Sequence, residues 1–130
     1  MSKTVPGGRR VLLVDDDPDI RLLAQMSLSR VGGYEVRAAV DGDEALGIAI
    51  EWVPDAILMD VHMPGGSGAT TAQALKDDAV TARIPIVMLT ASVSAADRSQ
   101  IARLPIEGVL PKPFDPMTLP GELADLLGWS

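Results

Sequence analysis

The feature that most restricts the fold of this sequence is the regular alternation of short apolar runs with segments of helical period. The apolar runs at 11–14, 56–59 and 84–89 are too short for helices, which indicates buried strands. Residues 34–40 and 108–110 predict two further strands. Because the segments between them have helical spacing, strands and helices alternate along the whole chain. That alternation favours an α/β fold with a parallel sheet and helices on both faces.

The helices are predicted at about 18–31, 41–52, 67–78, 94–103 and 115–127, with Pro120 as an alternative start of the last one. Asp17-Pro18 opens the first of them, and its inward face is expected to include Leu23 and Val31. A capping box that begins at Asp41 opens the second. These signals mark the starts of the first two helices, and the predicted ranges leave only short connections between helices and strands.

Length and composition exclude several kinds of protein. A chain of 130 residues predicts one domain with a substantial core, and residues 1–8 are expected to form a flexible leader ahead of a domain at 9–130. The net charge of −7 argues against nucleic acid as a partner, because that needs a basic face. No apolar run reaches about 18 residues, and no signal peptide is visible, so we expect no membrane partner and a cytoplasmic location.

Polar residues follow four of the five predicted strands. They are Asp15 and Asp16, Asp60, Thr90, and Lys112, after strands one, three, four and five. Strand two ends instead at Asp41, which belongs to a helix cap. In open parallel sheets, ligands bind beyond the carboxyl ends of the strands where the strand order reverses. We therefore place strand two outside strand one and predict a doubly wound, flavodoxin-like sheet in the order 2-1-3-4-5 with five flanking helices.

The residues at these strand ends have the chemistry of a metal and phosphoryl site. Neighbouring acids repel one another unless a cation neutralises them, and carboxylate oxygens without a His or Cys cluster suit Mg²⁺. Lys112, held between two prolines, adds an ammonium, and Thr90 adds a hydroxyl. Asp17 and Asp19 are interpreted more simply as acids at a helix amino terminus, where negative charge is favourable. The group that fits between a metal, a hydroxyl and an amine is a phosphoryl group.

Four short motifs carry a resemblance to a known family. The run VDDD ends strand one, DVHMPGGSG follows strand three, LTA follows strand four and PKPF follows strand five. In this order and spacing they resemble the receiver domain of two-component response regulators, of the chemotaxis single-domain type. The resemblance covers about residues 9–128. It implies a phosphoacceptor signalling domain and not an enzyme, although such a domain assists its own phosphorylation and dephosphorylation.

The resemblance also implies roles on the metal side of the site. Asp60 would be the phosphoacceptor, and Asp16 and Asp60 would bind Mg²⁺ directly, with Asp15 acting through water. The backbone carbonyl of His62 would be a further ligand. The His62 side chain is expected at the mouth of the pocket and not on the metal.

On the phosphoryl side, the resemblance implies that Thr90 and the Ala91 amide hold phosphoryl oxygens while Lys112 pairs with the phosphoryl group. The Lys112-Pro113 bond is cis in relatives of this kind. The implied donor is a phosphohistidine on a sensor histidine kinase or a histidine phosphotransfer protein. The implied output is a phosphorylation-dependent contact with a downstream effector protein, and a homodimer through the face of the fourth helix, fifth strand and fifth helix is a further expectation.

One switch position departs from the family pattern. Val109 stands where many receivers have Tyr or Phe, and a valine has no ring that could move between exposed and buried rotamers. Coupling of Thr90 to an aromatic residue is therefore not expected here. We predict that the output face responds through the loop at 90–94 instead.

Two other functions remain as alternatives at this point. A pseudo-receiver would use the same fold only for docking or dimerisation, and the complete set of site residues argues against it. A phosphohydrolase that forms an aspartyl phosphate would need a general acid or base near Asp60 and a substrate pocket. His62 is the only candidate for that acid or base, and 130 residues leave no room for a cap.

Overall fold

A computed structural model describes residues 8–63, 66–91, 99 and 101–129 of the chain, which form a five-stranded parallel sheet. Its strands are β1 (Arg10–Val14), β2 (Glu35–Ala39), β3 (Ala56–Asp60), β4 (Ile86–Thr90) and β5 (Gly108–Pro111). They lie in the order β2-β1-β3-β4-β5, and each neighbouring pair is parallel. The predicted order 2-1-3-4-5 is confirmed.

Within the described residues, four complete helices flank the sheet: α1 (Pro18–Met26), α2 (Gly42–Trp52), α3 (Gly68–Asp77) and α4 (Leu119–Leu127). A π-helical segment, Ser27–Val31, continues α1. Most of the helix predicted at 94–103 lies outside the described residues, although Ser99, Ile101 and Ala102 are helical. The predicted leader also lies outside them, apart from Gly8. In this part of the chain no helix has the length and apolar character needed to cross a bilayer.

Two apolar clusters cover the two faces of the sheet. Successive strand residues point to opposite faces, so Leu12 of β1 joins the cluster under α2 and α3, whereas Leu13 joins the one under α1 and α4. Every residue of β3 and β4 is buried. A parallel strand covered on both faces has no solvent side, which explains why these strands read as continuous apolar runs.

The predicted helix starts at Asp17 and Asp41 are confirmed. The Asp17 carboxylate accepts the N–H of Asp19 at 2.9 Å at the start of α1. The Asp41 carboxylate accepts the N–H of Glu44 at 2.9 Å, while the Glu44 carboxylate accepts the N–H of Val40 at 2.8 Å. These bonds satisfy backbone donors that a helix terminus otherwise leaves without partners.

The predicted inward face of the first helix is wrong at two positions. Leu23 is 41% exposed and Val31 is 46% exposed, whereas Ala24 and Leu28 are fully buried. The buried residues of this stretch are Ala24, Ser27 and Leu28, and the chain changes to π-helical geometry at Ser27. A π-helical turn has a different angular period, so a stripe extrapolated at 3.6 residues per turn no longer matches the buried side at Val31. Leu23 precedes this segment and is exposed because the buried face of α1, where Ala24 is the buried residue, is narrower than the spacing predicts.

Val53, at the carboxyl end of α2, is a strained residue. Its backbone has φ 48° and ψ 69°, in the left-handed region, and its side chain is 46% exposed. For a β-branched residue this conformation is rare, and it costs about 1–2 kcal/mol. We expect Val53→Gly to raise the free energy of unfolding by about 1 kcal/mol, which corresponds to about 3–6 °C in Tm for a domain of this size.

Thermal and urea unfolding of Val53→Gly, Val53→Asn and Val53→Ala test this strain. Asn also tolerates the left-handed conformation, so Val53→Asn should stabilise the domain, whereas Val53→Ala keeps a Cβ and should gain less. A Val53→Gly domain less stable than the wild type would mean that contacts of the Val53 side chain outweigh its backbone strain.

Candidate functional site

Three aspartates meet at the carboxyl ends of β1 and β3. Asp15 is fully buried, Asp60 is 7% exposed, and Asp16 is exposed. Each contributes a carboxylate oxygen to a group in which all the oxygens lie within 4.8 Å of one another. Because β1 and β3 are hydrogen-bonded neighbours in the sheet, acids that are 45 residues apart in sequence become adjacent.

The backbone around Asp15 holds its carboxylate in place. The Asp15 N–H donates to the carbonyl of Ala39 at 3.1 Å and so extends the contact between β1 and β2. The Asp15 carboxylate accepts the N–H of Asp17 at 3.0 Å. Asp17 and Asp19 lie at the amino terminus of α1, as their simpler interpretation predicted, and Asp17 is its cap.

Lys112 supplies the positive charge opposite these acids. Its Nζ lies 2.8 Å from Asp15 Oδ2 and 3.3 Å from Asp60 Oδ2, and its side chain is only 15% exposed. The Lys112 N–H donates to the carbonyl of Thr90 at 2.9 Å, and the Lys112-Pro113 peptide bond is cis. The ammonium therefore points into the acid cluster and not into solvent.

Burial changes the proton affinity of both charged partners. It raises the pKa of the Asp60 carboxyl, opposed by the His62 N–H and the Lys112 charge, while the charge of Asp15 adds to the rise. Burial alone lowers the pKa of Lys112, but its hydrogen bond to Asp15 and the charges of Asp15 and Asp60 outweigh that effect, so its pKa lies above the usual value. The site holds two buried carboxylates with one ammonium, an excess of negative charge that a further cation would relieve.

Of the remaining predicted residues, His62 contacts Asp60 directly. Thr90 is buried and ends β4, where its neighbour Leu89 is the register partner of Asp60. The His62 side chain is exposed, and its N–H donates to Asp60 Oδ1 at 3.2 Å. Ala91 is exposed, and so is Val109 on β5, at 38%. Of the predicted switch loop at 90–94, residues 92–94 lie outside the described residues.

Gly68 is a site residue whose role sequence reasoning missed. Its N–H donates to the carbonyl of Val61 at 2.7 Å. A Cβ at this position would lie 2.6 Å from the Asp60 carbonyl oxygen and 3.0 Å from Val61 Cα, both backbone atoms that cannot rotate away. The start of α3 can therefore approach the backbone of Asp60 only with glycine. The glycines of the GGSG run were the available signal, but they do not say which glycine is in contact.

Comparisons with known proteins agree with this geometry. The model of the response regulator receiver domain matches residues 11–124. The DNA-binding dual master transcriptional regulator RpaA of Synechocystis sp. is 40% identical over 106 residues, which are 82% of this chain and 44% of RpaA. The chain spans about half or less of the length of the curated relatives that it matches.

Two solved structures are similar over nearly their whole length. The chemotaxis response regulator CheY4 of Vibrio cholerae has a TM-score of 0.83 and 35% identity, over 92% of this chain and 98% of that one. The receiver domain of sensor histidine kinase PA1611 from Pseudomonas aeruginosa, with a magnesium ion coordinated in its active site cleft, has a TM-score of 0.84 and 30% identity, over 93% and 98%. Together with the family match over residues 11–124, these similarities show that the chain belongs to the response regulator receiver domain family.

Proposed function

We propose that this chain accepts a phosphoryl group on Asp60 from a phosphohistidine of a sensor histidine kinase or histidine phosphotransfer protein. The observation that carries the proposal is the set of distances around Asp60. A nearly buried carboxylate lies 3.3 Å from the Lys112 ammonium, within one compact group with Asp15 and Asp16. A carboxylate can act as the nucleophile in phosphoryl transfer, and here the charges that would stabilise the transferred group surround it.

The donor set also fits Mg²⁺. Three carboxylate oxygens within 4.8 Å of one another, with no nitrogen or sulfur among them, are the hard ligands that this ion prefers. Asp15, Asp16, Asp60 and the backbone carbonyl of His62 are the groups that would hold it. When bound, Mg²⁺ would neutralise charge on these acids and on phosphoryl oxygens.

Several residues of the chain would each have a role in the phosphoryl transfer. An oxygen of Asp60 attacks the phosphorus in line, an O–P bond forms, and the P–N bond of the phosphohistidine breaks with its electron pair left on the donor imidazole. Lys112 would turn from the acids toward the phosphoryl oxygens, and Thr90 and the Ala91 amide would hold the same group. Attack by water on phosphorus later breaks the O–P bond, releases phosphate and restores the carboxylate.

Phosphorylation would change the charge of the site, and this change would be the start of the signal. A phosphoryl group brings roughly two negative charges to a pocket whose ammonium is now bonded to acids, which gives Lys112 and Thr90 a new partner. We propose that the loop at 90–94 carries the change to an effector protein, with Val109 in place of an aromatic switch. A homodimer through the face that includes β5 and α4 is a second form of output. We place the domain in the cytoplasm, where donor kinases have access to ATP.

Intact-protein mass spectrometry with acetyl phosphate as a small-molecule donor tests the proposal. We expect one phosphoryl group per chain in the presence of Mg²⁺, none with excess EDTA, and recovery when Mg²⁺ is restored, because the pocket otherwise carries uncompensated negative charge. A pseudo-receiver would remain unmodified under all three conditions. Peptide mapping that places the phosphoryl group on a residue other than Asp60 would also contradict the proposal.

A further inference from the structure

Arg21, on α1, contacts the acid site without contacting any of its carboxylates. The side chain is half-buried, and its Nη1 donates to the backbone carbonyl of Asp15 at 2.9 Å. Asp15 itself is fully buried, so this carbonyl has no access to water. A buried carbonyl that loses its donor is destabilised, and the backbone around it moves to recover a partner.

The hydrogen bond from Arg21 holds the short loop that contains Asp15 and Asp16. Only residues 15–17 separate β1 from α1. Asp15 is held at three points: its N–H by Ala39, its carboxylate by Lys112 and the Asp17 N–H, and its carbonyl by Arg21. The next residue, Asp16, is exposed, so the direction of its side chain depends on the backbone on either side of it.

We propose that Arg21 is a positioning residue, which fixes the loop at 15–17 so that the carboxylates of Asp15 and Asp16 face Asp60. This inference rests on the proposed function, since it concerns the same Mg²⁺ and phosphoryl site. Lys112 neutralises carboxylates directly, whereas Arg21 binds a carbonyl and so leaves carboxylate oxygens available to a metal.

The experiment compares Arg21→Met with Arg21→Lys and with Arg30→Met. Arg30 is exposed near the end of the same helical stretch, so its replacement removes the same charge without touching the loop. Mg²⁺ affinity is measured by calorimetry. We expect Arg21→Met to bind Mg²⁺ about 10-fold more weakly than the wild type, as for other groups that orient metal ligands. Arg21→Lys should recover part of the loss, since it keeps the charge but not the planar fork, and Arg30→Met should match the wild type.

A second readout needs no metal. The Asp17 amide donates to the Asp15 carboxylate, so its NMR shift in Mg²⁺-free protein reports the geometry of the loop. We expect it to move in Arg21→Met and to stay unchanged in Arg30→Met. If Arg21→Met fails to fold, both measurements are made on Arg21→Lys. We then expect this variant to bind Mg²⁺ more weakly than the wild type and to show a changed Asp17 amide shift.

Three results would overturn the inference. They are Mg²⁺ affinity within twofold of the wild type in both Arg21 variants, an equal loss in Arg21→Met and Arg30→Met, and an Asp17 shift that no Arg21 variant changes. A lowered Tm with unchanged Mg²⁺ affinity would show a merely structural role. Failure of the wild type to bind Mg²⁺ would count against the proposed function, and the metal-free Asp17 comparison would still decide whether Arg21 positions the loop.

Discussion

Replacing Asp60 by asparagine is expected to abolish phosphorylation by acetyl phosphate completely. The amide keeps the shape of the side chain but lacks the carboxylate oxygen that we propose as the nucleophile, and none of the neighbouring acids occupies the same position at the end of β3. Because the step forms a covalent bond to this atom, no other residue of the pocket can compensate. Intact mass after prolonged incubation in Mg²⁺ measures the result.

The same substitution should leave the fold intact or make it more stable without Mg²⁺. Burial raises the pKa of the Asp60 carboxyl above that of the unfolded chain, so folding disfavours its ionised form. For an acid whose pKa is raised in this way, stability falls as pH increases from its unfolded value through its folded value. Asparagine cannot ionise and avoids that loss at neutral pH. Thermal unfolding of Asp60→Asn in EDTA should therefore give a Tm at or above that of the wild type.

Asp125→Asn is the matched control for both measurements. Asp125 is exposed in the last turn of α4, and its replacement removes one negative charge away from the pocket. We expect it to be phosphorylated like the wild type. A phosphoryl adduct on Asp60→Asn would show that another residue is the acceptor, and the assignment of Asp60 would then be wrong.

Replacing Lys112 by methionine is expected to slow phosphorylation by about 10²–10³-fold, the effect of removing one donor that stabilises developing charge. It should also destabilise the Mg²⁺-free protein by about 3–5 kcal/mol, because Asp15 and Asp60 would remain buried without their cation. The pKa of Lys112 is raised in the folded protein, so its contribution is complete at neutral pH and is lost only as pH rises through that folded value.

Time courses by intact mass and urea unfolding measure the two effects of Lys112→Met. The stability difference should shrink at acid pH, where protonation of Asp60 removes an unpaired charge, and should shrink on addition of Mg²⁺. Lys112→Arg keeps the charge and should retain more stability than Lys112→Met. A phosphorylation rate within threefold of the wild type in Lys112→Met would exclude a role for the ammonium in the transfer.

The sheet and the composition of the site followed from the sequence for one physical reason. Parallel strands place their carboxyl ends on one edge of the sheet. The residues that directly follow the apolar runs in the sequence are therefore predicted to lie close together at that edge. Asp41 could be excluded from the site residues because its spacing to Glu44 is that of a helix cap. The exposure of Val31 was not predictable, since nothing in the local spacing indicates the π-helical segment. The exposure of Leu23 was not predictable either, because the spacing does not say how narrow the buried face of α1 is.

The amino-acid sequence alone thus determined which segments form the strands of the sheet, which edge of the sheet carries the acids, and which residue types surround Asp60. Only the tertiary structure showed the individual contacts of these groups: that Lys112 lies closer to Asp15 than to Asp60, that Arg21 binds a carbonyl, and that the backbone of Asp60 leaves no room for a Cβ at Gly68. The reason is one of scale. Apolar periodicity fixes positions to within a strand or a helical turn, whereas hydrogen bonds depend on tenths of an ångström that are set by packing throughout the domain.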